Sequence, residues 1–123
     1  MRHFRPVAAS VPAARRYVAE QIDDVDDAWL AGLLVSELVT NVVEHARTDF
    51  EVHLHNDGQR VRVEVVDGVP RRPLLRRPRA DALGGRGMVI VDELAGCWGV
   101  EPAGAGKVVW FEVPLHGAGR ARR

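Results

Sequence analysis

The chain has 123 residues, and its 17 basic and 17 acidic side chains give a formal net charge of zero. That length fits a single domain, and 46% hydrophobic with 28% charged residues excludes a disordered or fibrous chain. Zero net charge provides no global attraction for nucleic acid or anionic lipid. The sequence contains no run of about 18 apolar residues, so no membrane span is predicted. Since Cys97 is the only cysteine and the start carries no apolar signal segment, we expect a cytoplasmic protein without an intramolecular disulfide.

The first half of the chain predicts a short extended segment and two helices. The segment near residues 3–7 is followed by a helix that begins around Ser10 and ends near Ile22. The acidic cluster "DDVDD" at 23–27 favours the start of a longer helix over 25–47, because carboxylates stabilise the unpaired amides of a helix N-terminus.

The second half predicts a β-hairpin, a long loop, a helix and two further strands. Alternating residues from Phe50 flank Asp57-Gly58, a typical hairpin tip. Residues 68–84 hold three prolines and five arginines and read as a loop, and "RGMVIVDELAG" predicts the third helix. The strands "CWGVEP" and "KVVWFEVPL" follow.

This element order, β, α, α, β, β, α, β, β, predicts an α/β (α+β) two-layer sandwich. Its sheet is expected to be mixed but mostly antiparallel, with helices on one face. We expect a single domain over residues 1–116 and a frayed basic tail over 117–123.

The stretch "ELVTNVVEHA" places Glu37, Asn41 and His45 four residues apart. Such residues differ by roughly 40° in direction around a helix and therefore form one polar stripe. Leu30, Leu34, Leu38 and Val42 form the apolar stripe that is expected to pack on the sheet. An amide oxygen suits Mg²⁺, and a nearby carboxylate can act as a general base. On composition alone, a solvated helix face explains the same pattern better.

Two later motifs change that balance towards a nucleotide site. "VVDG" ends a predicted strand with a carboxylate that can accept a hydrogen bond from the exocyclic amine of a base. "GGRGM" opens a predicted helix, where glycines leave backbone amides free to approach phosphates. Along the chain, the polar stripe is followed by this strand end, then by the loop, and then by the glycine-rich helix start.

With these motifs the chain resembles, over nearly its whole length, the GHKL family of ATP-binding domains with the Bergerat fold. That family includes gyrase, heat-shock chaperone ATPases, histidine kinases and anti-sigma factor kinases. "ELVTNVVEHA" resembles its asparagine box, "VVDGVP" its first glycine box and "GGRGMVIVDELA" its second. Without sensor, receiver or dimerisation modules in the sequence, the chain is most similar to small actinobacterial anti-sigma factor serine/threonine kinases.

The resemblance implies that Glu37 is the general base, that Asn41 coordinates Mg²⁺ and that Asp67 contacts the adenine amine. Further implied contacts to ATP come from His45, Gly68, Gly85, Arg86, Gly87 and Met88. His45 either contacts the nucleotide or only ends the helix, and Arg86 either contacts a phosphate or faces solvent. The implied partners are a sigma factor, a STAS-type anti-anti-sigma protein or both. A homodimer is also implied as an option, whereas direct binding of nucleic acid or a membrane is not.

The sequence departs from the family pattern in two places. Val69 and Arg71 replace glycines of the first glycine box, and Val108 stands where relatives often place a threonine that supports adenine binding. These departures keep a second function open: a non-catalytic module that sequesters a protein partner, with ATP as a structural ligand or with a decayed nucleotide site.

Other residue patterns have simpler explanations. The arginines at 71–79 give little support for nucleic-acid binding, and His53 with His55 lack a third metal ligand. We expect Cys97 to be a small buried residue. The three tryptophans, Trp29, Trp98 and Trp110, are expected to pack in the core or at an interface.

Overall fold

The computed structural model describes residues 1–68, 86–104 and 106–116, and only the backbone of residues 86–89. Most of the expected loop at 68–84, including Val69 and the arginines at 71–79, lies outside the described residues, as does the tail at 117–123. The strands are β1 (Arg2–Phe4), β2 (Phe50–Asn56), β3 (Arg60–Asp67), β4 (Cys97–Ala103) and β5 (Gly106–Pro114). The helices are α1 (Ser10–Ala19), α2 (Val25–Asn41), a π-helical turn (Val42–Ala46) and α3 (Arg86–Leu94).

The five strands form one sheet in the order β1-β2-β3-β5-β4. All four described pairings are antiparallel, so the sheet is more regular than the mixed, mostly antiparallel one that was expected. The predicted element order and the α+β fold class are confirmed. Within the described ranges, no helix combines the length and the apolar character that crossing a membrane requires.

The core lies between the helices and the inner face of the sheet. Alternate residues of the central strands are buried: Val61, Val63 and Val65 of β3, and Val109, Phe111 and Val113 of β5. α2 covers them with Ala31, Leu34, Val35, Leu38 and Val39, while Leu30 of the predicted stripe is only half-buried. Full burial of each large aliphatic side chain contributes about 1.5–3 kcal/mol, so this alternation fixes which face of each strand meets the helices.

The N-terminus of α2 is held by two aspartates. The backbone N–H of Asp27 donates to Oδ1 of Asp24 over 3.0 Å, which is the N-cap that the acidic cluster predicts. Asp27 itself is buried, and its Oδ2 accepts from the backbone N–H of His116 over 2.8 Å. Its Oδ1 lies 2.8 Å from Nδ1 of the same histidine. The start of α2 is therefore fastened to the chain just after β5.

The C-terminal end of α2 differs from the prediction of a regular helix over 25–47. Residues Val42–Ala46 form a π-helical turn, and Arg47 then takes a left-handed conformation with φ 57°. The Arg47 N–H donates to the carbonyl of Val42 over 2.7 Å and closes the wide turn. Such turns inside helices are rare and are often found at functional sites.

α1 and Cys97 correct two smaller expectations. α1 ends at Ala19 instead of near Ile22, and the Ser10 hydroxyl donates to the Arg5 carbonyl over 2.7 Å instead of capping the helix. Cys97 is exposed, not buried, and its Sγ lies 3.5 Å from Oε1 of Glu112. Local desolvation and this hydrogen bond raise the pKa of the thiol.

Candidate functional site

α2 runs along β3 and is fastened to the sheet at both ends. Its start is bound to His116, which follows β5 at the end of the sheet where β3 begins. After the π turn, the hydroxyl of Thr48 accepts a hydrogen bond from the Gly68 N–H over 3.2 Å, directly beyond the end of β3. The Glu37 and Asn41 end of α2 therefore lies at the end of the sheet where Asp67 is found.

Helix and strand lengths agree with that placement. From Asp27 to Asn41, α2 rises about 21 Å at 1.5 Å per residue. From Arg60 to Asp67, β3 extends about 24 Å at 3.4 Å per residue. Since both elements start from the same end of the sheet, Asn41 lies towards the end of the sheet that carries Asp67.

The polar stripe is only partly preserved. Glu37 and Asn41 are both half-buried and lie one turn apart on regular helix. His45 is exposed and belongs to the π turn, whose wider winding removes the α-helical spacing on which its alignment depends. The structure therefore joins Glu37 and Asn41 on one face, and a nucleotide contact from His45 stays a prediction.

Asp67 ends β3 on the inner face of the sheet. Its side chain is 1% exposed, and its Oδ2 lies 2.6 Å from Nζ of Lys107, whose side chain is 16% exposed. The two residues are direct cross-strand partners of β3 and β5. Because removing one member of a buried ion pair costs about 3–5 kcal/mol, this contact is a strong local restraint.

The residue of β5 that lies opposite Asp67 was not singled out from the sequence. Val108 pairs with Val66 and with Glu101, on the face of the sheet opposite to Asp67. Lys107 has the same alternation phase as the buried Val109, so Lys107 is the β5 residue beside the carboxylate. The alternation within "KVVWFEV" could have placed Lys107 on the inner face of the sheet, although not opposite Asp67.

Gly106 and Thr48 were also missed. A Cβ atom at Gly106 would overlap the backbone carbonyl oxygen of Asp67, so only glycine lets β5 begin this close to the end of β3. Thr48 holds the next residue of that strand through its contact with Gly68. Neither residue belongs to a motif that the sequence made conspicuous.

The second glycine motif is partly covered. Gly85 lies outside the described residues, and α3 begins at Arg86, as expected for a glycine-rich helix start. Gly87 and Met88 follow in its first turn, where the backbone alone is described. Gly68 is exposed, with its N–H directed to Thr48. The ligand contacts expected from these residues remain predictions.

The side-chain amide of Asn41 offers an oxygen of the kind that Mg²⁺ accepts. The described residues contain no group of three or more His, Cys, Asp or Glu side chains that could hold a metal ion. His53 is instead 3.0 Å from Glu51, and His55 is 3.8 Å from Glu64. Mg²⁺ bound with a nucleotide takes most of its ligands from water and phosphate and needs one or two protein oxygens, a requirement that the amide of Asn41 fits.

Residues 1–113 match the model of the histidine kinase-like ATPase domain family. The histidine kinase domain of the blue-light activated histidine kinase from Erythrobacter litoralis EL346 is similar in structure, with a TM-score of 0.58 and 23% identity over 89% of this chain and 60% of that chain. A second structure, of the Erythrobacter litoralis EL346 blue-light activated histidine kinase, has a TM-score of 0.57 and 25% identity over 87% of this chain and 40% of that chain. The chain thus spans less than two thirds of the length of either structure. No curated protein matches it.

Proposed function

Because the chain belongs to the histidine kinase-like ATPase domain family, we propose that it is an ATP-binding regulatory protein of the anti-sigma factor type. It binds Mg-ATP and phosphorylates a serine or threonine of a STAS-type anti-anti-sigma protein, and so controls a sigma factor. The observation that carries this proposal is the half-buried pair of Glu37 and Asn41 on one face of α2, towards the end of the sheet that carries Asp67.

Each residue of this site has a separate task. Asn41 offers a neutral amide oxygen to Mg²⁺, and Asp67 accepts a hydrogen bond from the adenine amine. Glu37 takes the proton of the acceptor hydroxyl as that oxygen bonds to the γ-phosphorus and the bond to ADP breaks. Magnesium supplies neutralisation of phosphate charge. The protein's contribution is chiefly orientation, as in other phosphoryl transfers.

The binding half of the proposal is tested by calorimetric titration of ATP with and without magnesium. We expect magnesium-dependent binding in the micromolar range, reduced at least tenfold in Asn41→Ala because the amide ligand is lost. Thr40→Ala is the matched control, since Thr40 is also half-buried on α2 but points about 100° away from Asn41. Equal binding of magnesium-ATP by all three proteins would contradict the role of Asn41.

The transfer half is tested with γ-labelled ATP and purified STAS-type proteins from the source genome. Glu37→Gln keeps the size and polarity of the side chain but removes the base. We expect transfer to fall by about 10²–10⁴-fold, the usual contribution of a general base, while ADP affinity changes little. Transfer at the wild-type rate would show that Glu37 does not accept the proton.

A sequestering module is the second candidate, and the buried contact between Asp67 and Lys107 favours it, since Lys107 engages the carboxylate that is expected to read adenine. In that case the protein captures its partner equally well with and without Asn41→Ala. Labelled product is then missing for every STAS-type protein offered. Loss of capture in the variant would reject this second candidate.

A further inference from the structure

Lys107 brings a positive charge into the part of the site that is expected to receive the base. Its ammonium carries three N–H donors, and Asp67 takes one of them at 2.6 Å. Among the described residues, no other side chain or backbone atom accepts a hydrogen bond from Lys107. With the side chain only 16% exposed, the other donors gain from any acceptor that a ligand provides.

The pair offers two hydrogen-bonding groups side by side. A carboxylate has about four acceptor positions, so Asp67 can bind Lys107 and an amine simultaneously. An acceptor next to a donor is the complement of adenine, whose exocyclic amine is a donor and whose neighbouring ring nitrogen, N1, is an acceptor.

We propose that Lys107 is a specificity-determining residue of the base subsite, and that its ammonium donates to N1 of adenine while Asp67 accepts from the amine. This inference rests on the proposed nucleotide binding and assigns one of its contacts. A base without an acceptor at N1 leaves the half-buried ammonium without that bond. Because a hydrogen bond to a charged group is stronger than a neutral one, its loss should lower the affinity for such a base by about 10–100-fold.

The experiment compares ADP with 1-deaza-ADP, in which N1 is replaced by C–H, by calorimetric titration. The wild-type protein is expected to prefer ADP by about 10–100-fold. Lys107→Met removes the donor and keeps the aliphatic part of the side chain, so its preference should fall below about threefold. Arg60→Met is the matched control, since Arg60 is exposed at the opposite end of β3, and it should keep the wild-type preference.

A second variant guards against misfolding of the first. Lys107→Met alone removes a charged partner of the buried Asp67, whereas Asp67→Asn combined with Lys107→Met removes both charges. The double variant binds ADP more weakly but should likewise show almost no preference over 1-deaza-ADP. Thermal unfolding of each protein establishes that it is folded before titration.

The outcomes separate this inference from the function on which it rests. An unchanged preference in Lys107→Met overturns the contact to N1 while nucleotide binding stands. Tighter ADP binding by Lys107→Met with an unchanged preference also overturns it, and identifies Lys107 as a competitor for Asp67. Failure of the wild-type protein to bind ADP at millimolar concentration rejects the proposed function and the base contact together.

Discussion

Asp27 is a buried carboxylate that holds the start of α2 to the chain after β5. It is 2% exposed, and both of its oxygens contact His116, whose side chain is 68% exposed. This arrangement allows the strand-to-helix contact to be tested separately from the nucleotide site, because Asp27 lies about 21 Å along α2 from Asn41.

We expect Asp27→Ala to lower the free energy of unfolding by about 2–3 kcal/mol, because the backbone N–H of His116 loses a charged acceptor. Urea denaturation monitored by circular dichroism measures the change. Asp26→Ala is the control, since Asp26 is exposed in the same helical turn and its loss should cost less than about 0.5 kcal/mol. An equal decrease in the free energy of unfolding in both variants would mean that Asp27 acts only through the helix dipole and not through His116.

At the scale of elements, the start of β5 decides the position of two site residues. Gly106 lies against the backbone of Asp67, and Lys107 follows it. A shift of this strand therefore moves the carboxylate and the ammonium together, although neither side chain is altered.

We expect Gly106→Ala to destabilise the protein by about 1–3 kcal/mol through overpacking and to weaken ADP binding at least tenfold. Gly99→Ala is the matched control: a Cβ atom there would lie 2.8 Å from the Trp110 ring, on the outer face of the sheet. It should lower stability to a similar degree and leave ADP affinity nearly unchanged. Chemical denaturation and calorimetric titration of both variants provide the comparison.

The elements themselves were largely predictable, whereas their ends were less so. Asp57-Gly58 marked the hairpin correctly, because the left-handed φ of 87° at Gly58 suits glycine and the Asp57 side chain accepts from the backbone of Gln59 and Arg60. The π turn was not foreseen, since residues Val42–Ala46 continue the apolar and polar alternation of α2 without any break signal. The order of apolar and polar residues does not show whether the backbone hydrogen bonds span four residues or five.

The two faces of the sheet differ: the inner face packs in the core, and the outer face carries a set of ion pairs. Glu112 accepts from Arg60 and Arg62, each over 3.1 Å, and Arg62 also pairs with Glu64 over 2.8 Å. The hydrogen bond from Arg62 is the main reason that the pKa of Glu112 lies below its usual value. These contacts join β3 to β5 across the middle of the sheet.

A lowered carboxyl pKa gives a definite sign to the pH dependence of stability. The ion pair stabilises the folded state above the unfolded-state pKa of Glu112, and this contribution is lost as the pH falls through its lower folded-state pKa. We expect Glu112→Gln to be less stable than wild type at pH 7 by about 1 kcal/mol or less, because the pair is partly solvated. Urea denaturation at pH 7 and pH 3 should show this difference shrinking, and a constant difference would contradict the ionic origin.

The placement of the candidate site residues was predictable in part because they lie in compact motifs. Glu37 and Asn41 needed only helical spacing, and Asp67 needed only the end of a predicted strand. Lys107 required the register between β3 and β5, which joins residues 40 positions apart and cannot be read from local pattern. Burial was also hard to predict: Trp29 is 59% exposed, which excludes the core as its location.

The three tryptophans lie in different environments, so their intrinsic fluorescence can report on different parts of the fold. Trp29 is open to solvent on α2, and the Trp98 indole donates to Asp92 of α3 over 2.8 Å. Trp110 lies on the sheet with the guanidinium of Arg62 4.1 Å from its ring centroid. Because iodide quenches the fluorescence of exposed indoles preferentially, the quenched part of the emission reports the surface of α2. The less quenched part comes from the half-buried Trp98 and Trp110 and reports the contacts of α3 and of the sheet. The surface of α2 and the sheet can therefore be monitored separately in the unlabelled protein.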